Sequence, residues 1–494
     1  MAAYSVGIKI DETQPGAIVP DDFAGLSFER GPLDSGNAGV PGYLFDPSNQ
    51  SLVTLFHNLG LRSLRIGGGS VDTMVPASFE GIDNLFAFAA GAGTKVIFSL
   101  RLLNPAQKPI QDLKTIDAEM AAYIWAKYQN EVASFAIGNE PDWHSYHISD
   151  PAIYETVPPV PGSAYPSYLA DWRGFADAVM SMAPEARFSG PETGAYSRLT
   201  YTPDSATGVS WTEQFAGDER DSGRIAQITQ HLYVGGAPGA TTPDQAISNM
   251  LSPEWVNGTA PGSQPSGTVY TPYPWLYASN LAHVAQTGLP YRLTESNDYL
   301  SGVHGASDVF ASALWALDYL HWWAAQGAAG INFHNKQWIY TDTIVPAAGG
   351  GYAVNPKGYG FKAFTLGSAG NVKPVTITNA DGVNLTGYCI GKSGKDYVTI
   401  INKTYGAAAA DAHVTIAPPA PGLRAAEAMM LTSANPGDVT ATAVMLGGAT
   451  ITGNQPWDGT WTPLPANPQT GVSLTVPAGT AAVVRIHAGI PTTV

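Results

Sequence analysis

Two glutamates each close a short apolar run, and together they could form a hydrolytic pair. Glu140 follows residues 135–139, and Glu295 follows residues 291–294. A proton donor and a nucleophilic carboxylate about 5–5.5 Å apart break a glycosidic bond with retention, whereas a gap of about 6.5–9.5 Å admits the water needed for inversion. The pair could therefore cleave a glycoside if the fold brings two distant parts of the chain together.

Further polar side chains stand where they could assist such a pair. Asn139 precedes Glu140, and its amide could hydrogen-bond both a sugar 2-hydroxyl and a carboxylate. His231 and Tyr233 end the run 225–233, where a tyrosine hydroxyl could keep a neighbouring carboxylate ionised. A His-x-Tyr on a strand is also commonly structural, and both interpretations stay open. Glu29 ends another run and is predicted to bind substrate hydroxyls.

The elements that would position these residues follow a repeating strand–helix order. Short apolar runs alternate with helical patterns, including helices over 51–58 and 308–325, the second with Ser307 as its predicted N-cap. We predict an α/β fold, a (β/α)8 barrel over 12–365, whose active site lies at the C-terminal ends of the strands. The predicted strands are 23–29, 61–69, 95–100, a run ending near Glu140, 186–192, 225–233, a run ending at Glu295, and 328–333. Glu192 ends the fifth of these, with no role assigned.

The tail of the chain has a different pattern. From about Ala369, apolar and polar residues alternate with a period of two, and Gly, Pro and Asn separate the runs. This pattern predicts a C-terminal antiparallel β-sandwich over 366–494. The run 4–11 alternates in the same way, so we expect it to complete the sandwich as an N-terminal strand.

Composition limits the classes of partner. The 494-residue chain has a formal net charge of −16 and only 24 Lys and Arg, which argues against nucleic acid as a partner. No run of about 18 apolar residues occurs, so no membrane partner is expected. Cys389 is the only cysteine, which excludes an intrachain disulfide and a Cys-based zinc site. We expect no cofactor and no metal, and nothing in the sequence fixes the number of subunits.

Two further patterns bear on location and on ligand binding. The N-terminus has no intact secretory signal, although a removed signal would leave the same appearance, and sequons begin at Asn49, Asn257, Asn384 and Asn402. We expect a secreted protein, with a cytoplasmic one as the alternative. Two long loops, 143–167 and about 236–285, are rich in aromatic residues. They are predicted either to line a sugar-binding cleft or to pack onto the barrel.

The residues in this order resemble the clan A retaining glycoside hydrolases, and within that clan family 79, the β-glucuronidases and heparanases. The resemblance covers most of the barrel and rests on six segments. These are Leu64-Arg65-Ile66-Gly67-Gly68, Gly138-Asn139-Glu140-Pro141-Asp142, Gly190-Pro191-Glu192, His231-Leu232-Tyr233, Thr294-Glu295-Ser296 and Gly358-Tyr359-Gly360, together with the helix start at Ser307.

The resemblance implies a role for each matching position. Glu140 would be the acid/base and Glu295 the nucleophile, with Tyr233 beside it. Glu29 would contact ring hydroxyls. Tyr299, Gly358 and Tyr359 would hold the carboxylate of a uronic acid.

The function expected from the resemblance is that of a retaining exo-β-glucuronidase acting on a uronic-acid-containing glycoside or glycan. A net charge of −16 disfavours a heavily sulfated, heparan-like substrate, which would need a basic cleft. Three alternatives stay open. They are a clan A β-glucosidase or β-xylosidase, an endo-β-glucuronidase, and a carbohydrate-binding protein without catalysis.

Overall fold

The computed structural model describes most of the chain. The described residues are 2–14, 16–37, 42–102, 110–142, 164–195, 210–235, 241–253, 273, 281–336, 339–378, 380, 382–418, 422–435 and 437–488. The predicted loops 143–167 and 236–285 lie largely outside these residues.

Eight parallel strands close into a barrel in sequence order, with the last strand pairing to the first. Two N-terminal strands, β1 (Ala2–Ile10) and β2 (Ile18–Val19), precede it. The barrel strands are β3 (Ala24–Glu29), β4 (Ser63–Gly67), β5 (Lys95–Leu100), β6 (Val132–Ile137), β7 (Phe188–Ala195), β8 (Ile225–Gly235), β9 (Tyr291–Tyr299) and β10 (Gly330–Asn335). The predicted (β/α)8 barrel is confirmed, because all eight predicted runs become its strands.

Helices follow the strands and cover the barrel. Those in the described residues are α1 (Gln50–Leu59), α2 (Phe79–Ala92), α3 (Ile110–Tyr128), α4 (Ala164–Met182), α5 (Trp211–Glu219), α6 (Pro243–Leu251), α7 (Leu281–Val284), α8 (Phe310–Ala325) and α9 (Pro356–Thr365). Helix α1 begins at an Asn49 side chain that accepts from the Leu52 amide, and it ends at Gly60, whose φ of 71° is left-handed. None of the described helices is both long and apolar enough to cross a membrane.

Helix α8 begins later than the sequence predicts. Val309 is its N-cap and makes no side-chain capping bond. Ser307, the predicted N-cap, accepts from the Val303 amide at 2.9 Å, so its hydroxyl serves the preceding turn. Every residue from Phe310 to Ala324 is buried, because the helix lies between the barrel and the C-terminal sheets.

The rest of the chain forms strands, most of them antiparallel. They are β11 (Ile344–Pro346), β12 (Tyr352–Val354), β13 (Gly370–Lys373), β14 (Val375–Thr378), β15 (Leu385–Lys392), β16 (Lys395–Asn402), β17 (Ala410–Ile416), β18 (Leu423–Ser433), β19 (Val444–Leu446), β20 (Thr462–Leu464), β21 (Ala466–Asn467), β22 (Gly471–Val476) and β23 (Thr480–Ala488). Strands β11 and β12 form a hairpin. The others form a sheet of order β14-β1-β17-β22-β21 and a second of order β19-β18-β23-β16-β15-β13-β2, with β20 beside β18.

The N-terminal strands belong to these sheets. Strand β1 pairs with β14 antiparallel and with β17 in parallel, so one pair departs from the antiparallel pattern. Strand β2 pairs with β13 in the other sheet, which takes the N-terminal contribution as far as Val19, beyond the predicted run 4–11. A core that includes Val6, Ile8, Val414 and Val484 is shared by strands of both sheets.

A buried ion pair joins barrel and sandwich, and breaking it should destabilise the protein. The Lys403 ammonium donates to Asp318 of α8 at 2.9 Å, and both side chains are almost fully buried. We expect Lys403→Met to lower the free energy of unfolding by about 3–5 kcal/mol, since it leaves a buried carboxylate without its cation. Urea unfolding measures this. The matched control is Lys127→Met, which breaks a half-exposed pair with Asp83 and should barely move the midpoint. A loss below about 1 kcal/mol for Lys403→Met would contradict the expectation.

Candidate active site

Glu140 and Glu295 meet at the C-terminal mouth of the barrel. Glu140 lies just beyond β6, with a φ of 48°, and its amide donates to the Glu192 carbonyl at 2.9 Å. Glu295 lies within β9, and both side chains are buried. One carboxylate oxygen of each, together with a ring nitrogen of His231, lie within 4.8 Å of one another. The structure therefore brings together two residues that are far apart in the chain.

His231 lies between carboxylates. Its Nδ1 is 3.0 Å from Oε1 of Glu140 and its Nε2 is 2.9 Å from Oε2 of Glu192, while Oε2 of Glu295 is 3.7 Å from Nδ1. Burial opposes the charged ring, but the negative charge of Glu295 and the hydrogen bonds to Glu140 and Glu192 outweigh it and raise the His231 pKa to about 9. The imidazole is therefore a cation at neutral pH and donates from both nitrogens.

Arg65 of β4 holds the other side of the site. Its guanidinium donates to Oε2 of Glu295 at 2.7 Å and to Oδ1 of Asn139 at 2.8 Å, and it pairs with Oε2 of Glu192 at 2.7 Å. Gly67 makes room for it, since a Cβ there would come within 2.6 Å of the guanidinium carbon. One buried cation thus connects three of the polar groups around the mouth.

Tyr233 and Asn139 lie where the sequence predicts. The Tyr233 hydroxyl donates to Oε1 of Glu295 at 2.8 Å, so both oxygens of Glu295 accept hydrogen bonds. Both the backbone and the side chain of Asn139 are held. Its backbone N–H donates to the Asp72 carboxylate at 3.0 Å, and its side-chain oxygen accepts from Arg65. These contacts orient the Glu295 carboxylate and the side chain of Asn139, the residue that precedes Glu140.

Glu29 of β3 lies at the same mouth. It accepts from the amide and hydroxyl of Ser70, and Nε2 of His334 is 3.5 Å from its Oε1. Burial would raise the pKa of Glu29, but the hydrogen bonds and charge of His334 and the bonds from Ser70 lower it to about 2. Gly68 is required beside it, since a Cβ there would come within 2.3 Å of the carboxylate carbon. Glu29 is an ionised carboxylate that could accept hydrogen bonds from hydroxyl groups.

The three residues predicted to hold a uronate carboxylate are engaged elsewhere. The Tyr299 hydroxyl, at the end of β9, accepts from the Asn249 side chain at 3.0 Å. Gly358 and Tyr359 lie in α9. The Gly358 amide donates to the Asn355 carbonyl, and the Tyr359 hydroxyl accepts from the Ile451 amide at 2.9 Å. These contacts of Gly358 and Tyr359 serve helix α9 and its packing against the C-terminal domain, and a role of the pair in uronate binding stays a prediction.

Comparisons with known proteins agree on the fold. No protein-family model and no curated protein sequence matches this chain. Among solved structures, a 4-O-α-L-rhamnosyl-β-D-glucuronidase from Fusarium oxysporum 12S has a TM-score of 0.64 at 17% identity, with 98% of this chain and 99% of that one covered. A GH51 arabinofuranosidase from Xanthomonas axonopodis pv. citri has a TM-score of 0.63 at 14% identity, covering 98% and 100%. A GH44 xyloglucanase from Paenibacillus polymyxa has a TM-score of 0.63 at 12% identity, again covering 98% and 100%.

The chain shares the fold of these glycoside hydrolases. Because these neighbours come from several families, the likeness does not single out family 79. Their identities of 12–17% make it a likeness of fold alone.

Several residues of the site had no assigned role in the sequence. Arg65 and Glu192 stand in motifs at strand ends, but nothing local shows that they meet. His334 was missed because the predicted eighth strand ended one residue before it, whereas β10 continues to Asn335. The available signal was position, since a charged or histidine side chain at the C-terminal end of a barrel strand indicates the active site.

The cluster of Glu140, His231 and Glu295 also has the dimensions of a cation site. The chemistry of the donors does not suit one. Nδ1 of His231 is 3.0 Å from Oε1 of Glu140 and Nε2 is 2.9 Å from Oε2 of Glu192, so both ring nitrogens are already engaged in hydrogen bonds with carboxylates. These residues fit a site for proton transfer and nucleophilic attack better than a metal centre.

Proposed function

We propose that the protein is a retaining exo-β-glycosidase that removes terminal β-linked glucuronic acid from glycosides or polysaccharides. The observation that carries the proposal is the pairing of Glu140 with Glu295, which have carboxylate oxygens within 4.8 Å of each other. Retaining enzymes hold their carboxyl groups about 5–5.5 Å apart, and inverting enzymes need about 6.5–9.5 Å. The short separation supports double displacement.

Each glutamate has surroundings that match one role. Glu295 accepts from Tyr233 and Arg65, and these two hydrogen bonds fix the orientation of its carboxylate, as a nucleophile requires. Glu140 has His231 as a side-chain partner at 3.0 Å and follows Asn139, the position that the resemblance gives to the acid/base. It is therefore the proposed acid/base.

The reaction proceeds in two balanced steps. Glu295 attacks the anomeric carbon and forms a glycosyl ester, while Glu140 gives its proton to the departing glycosidic oxygen. The ionised Glu140 then takes a proton from water, whose oxygen attacks the anomeric carbon and releases Glu295. Glu29 accepts hydrogen bonds from ring hydroxyls. Arg65 and Tyr233 donate to the carboxylate of Glu295 and stabilise its negative charge when the ester is hydrolysed.

Glucuronic acid is the proposed glycone because of the family 79 motifs, and because one structural neighbour is by name a rhamnosyl-glucuronidase. A neutral β-glycoside, such as a glucoside or xyloside, is the second candidate. It is favoured by the engagement of Gly358 and Tyr359 outside the site and by the net charge of −16, which repels an anionic sugar.

The test is a panel of aryl β-glycosides with glucuronide, glucoside, xyloside and galactoside, followed by NMR to identify the anomer released first. We expect the glucuronide to give the highest kcat/KM and the β-anomer to appear first. If a neutral sugar is preferred and the β-anomer is released first, the proposed glycone is wrong and the retaining mechanism stands. First release of the α-anomer would overturn the retaining mechanism, and no cleavage of any substrate would overturn the activity.

A further inference from the structure

A third carboxylate, Glu192, belongs to the charged network although neither step of the reaction uses it. Its side chain is completely buried at the mouth of the barrel, in β7. Oε2 accepts from His231 at 2.9 Å and pairs with Arg65 at 2.7 Å, and Oε1 accepts from the Thr294 hydroxyl at 2.9 Å. Glu192 is thus linked to Glu140 through His231 and to Glu295 through Arg65.

The backbone of Glu192 is also part of the site. Its φ of 59° lies in the left-handed region, which is uncommon for a residue other than glycine. Its carbonyl accepts the amide of Glu140, itself at a φ of 48°. Such backbone conformations are strained and persist where the surroundings enforce them. One residue therefore holds both the backbone of Glu140 and the ring that contacts its side chain.

We propose that Glu192 is a positioning residue that keeps His231 protonated on both nitrogens, so that the reactive proton of Glu140 stays on the oxygen that His231 does not contact. The inference rests on the proposed function in one respect only, that the proton of Glu140 is the one given to the leaving group. Glu192 itself touches neither the sugar nor the reacting atoms in this scheme.

The reason lies in what a neutral His231 would do. If Nδ1 lost its proton, it would become an acceptor 3.0 Å from Oε1 of Glu140. A protonated Glu140 would then donate to the ring and would not present its proton to the glycosidic oxygen. An ionised Glu192 beside Nε2 of His231 favours the doubly protonated ring. Nδ1 then donates to Glu140 and cannot accept the proton of Glu140.

The other charges around His231 decide how much Glu192 contributes. Glu295 and Glu140 also favour the cation, whereas burial and Arg65 oppose it. Asp142 faces His231 as well, but burial, with the charge of Glu140 adding to it, raises the Asp142 pKa to about 7 and reduces its own charge. Because the folded pKa of His231 is raised to about 9, the cation is present below that pH and is lost above it.

The test compares Glu192→Gln with Thr294→Val. The first removes the charge from Glu192, and the second removes a hydrogen bond to the other oxygen while leaving the charge. The readout is the titration of His231 by NMR in protein carrying 15N-histidine, assigned among the 10 histidines with a His231→Gln variant. We expect the His231 pKa to fall by about 1–3 units in Glu192→Gln and to change little in Thr294→Val.

Kinetics give the second readout. At alkaline pH, Glu192→Gln should lose about 10–100-fold in kcat/KM on substrates with poor leaving groups, and much less on a dinitrophenyl glycoside, which needs no proton. The basic limb of its pH profile should move to lower pH by the same interval as the His231 titration. A merely structural role would reduce both substrates equally and leave the limb in place.

Each outcome decides the inference. A wild-type His231 that is neutral at pH 7 overturns it even if the variant fails to fold. An unchanged His231 titration in folded Glu192→Gln overturns it too. If the wild-type protein cleaves no glycoside but His231 titrates as expected in both variants, the proposed activity fails while the linkage between Glu192 and His231 stands.

Discussion

Glu295→Ala should abolish hydrolysis, with a loss of about 10⁴- to 10⁶-fold in kcat, because no other described group occupies its place beside Tyr233 and Arg65. The alanine removes the atom that forms the ester and leaves a small space at the α face of the sugar. Azide can occupy that space and attack the anomeric carbon directly. Glu140 remains to protonate the leaving group.

Rescue by azide distinguishes a lost nucleophile from a damaged fold. We expect added azide to restore release of the aryl group and to give an α-glycosyl azide, identified by NMR, because a single displacement inverts the β-substrate. Glu185→Ala, which removes an exposed carboxylate outside the site, is the control and should keep full activity. Hydrolysis by Glu295→Ala within tenfold of wild type would contradict the assignment.

The barrel could be predicted because its strands are buried on both faces. Parallel strands of this kind appear in the sequence as short continuous apolar runs, and the polar residues that follow them identify the ends at the mouth. The pairing of β1 with the C-terminal sheets follows from a different pattern, the alternation of residues with one buried face. The start of α8 was misplaced because Ser307 has the preferred N-cap type but bonds within the preceding turn.

The charged network could not be predicted, because its members come from different strands. Arg65, Glu192 and His231 are each ordinary at their own positions, and their meaning arises from distances that only barrel closure sets. The same limit applies to Gly358 and Tyr359, whose role in holding a uronate carboxylate stays a prediction. A short motif fixes neither the rotation of α9 nor the contact of the tyrosine hydroxyl with Ile451.

Glu140→Ala should divide substrates by their leaving groups, which Glu295→Ala should not. General acid catalysis is worth about 10²–10⁴-fold, so aryl glycosides of weakly acidic phenols should slow by that factor. A dinitrophenyl glycoside departs without a proton, and its first step should stay fast. The glycosyl ester on Glu295 should then accumulate, because no base activates water, and a burst of dinitrophenol should precede slow turnover.

Azide should act on this variant with the opposite stereochemistry. It needs no general base, so it should attack the ester on Glu295 and give a β-glycosyl azide, which retains the configuration of the substrate. Mass spectrometry of the intact protein during the burst should show one sugar added. The two variants therefore test the same geometry. An α-azide from Glu295→Ala and a β-azide from Glu140→Ala both require that the two carboxylates lie on opposite faces of one anomeric carbon. An α-azide from Glu140→Ala, or a loss of rate that does not depend on the acidity of the leaving group, would contradict the acid/base role of Glu140.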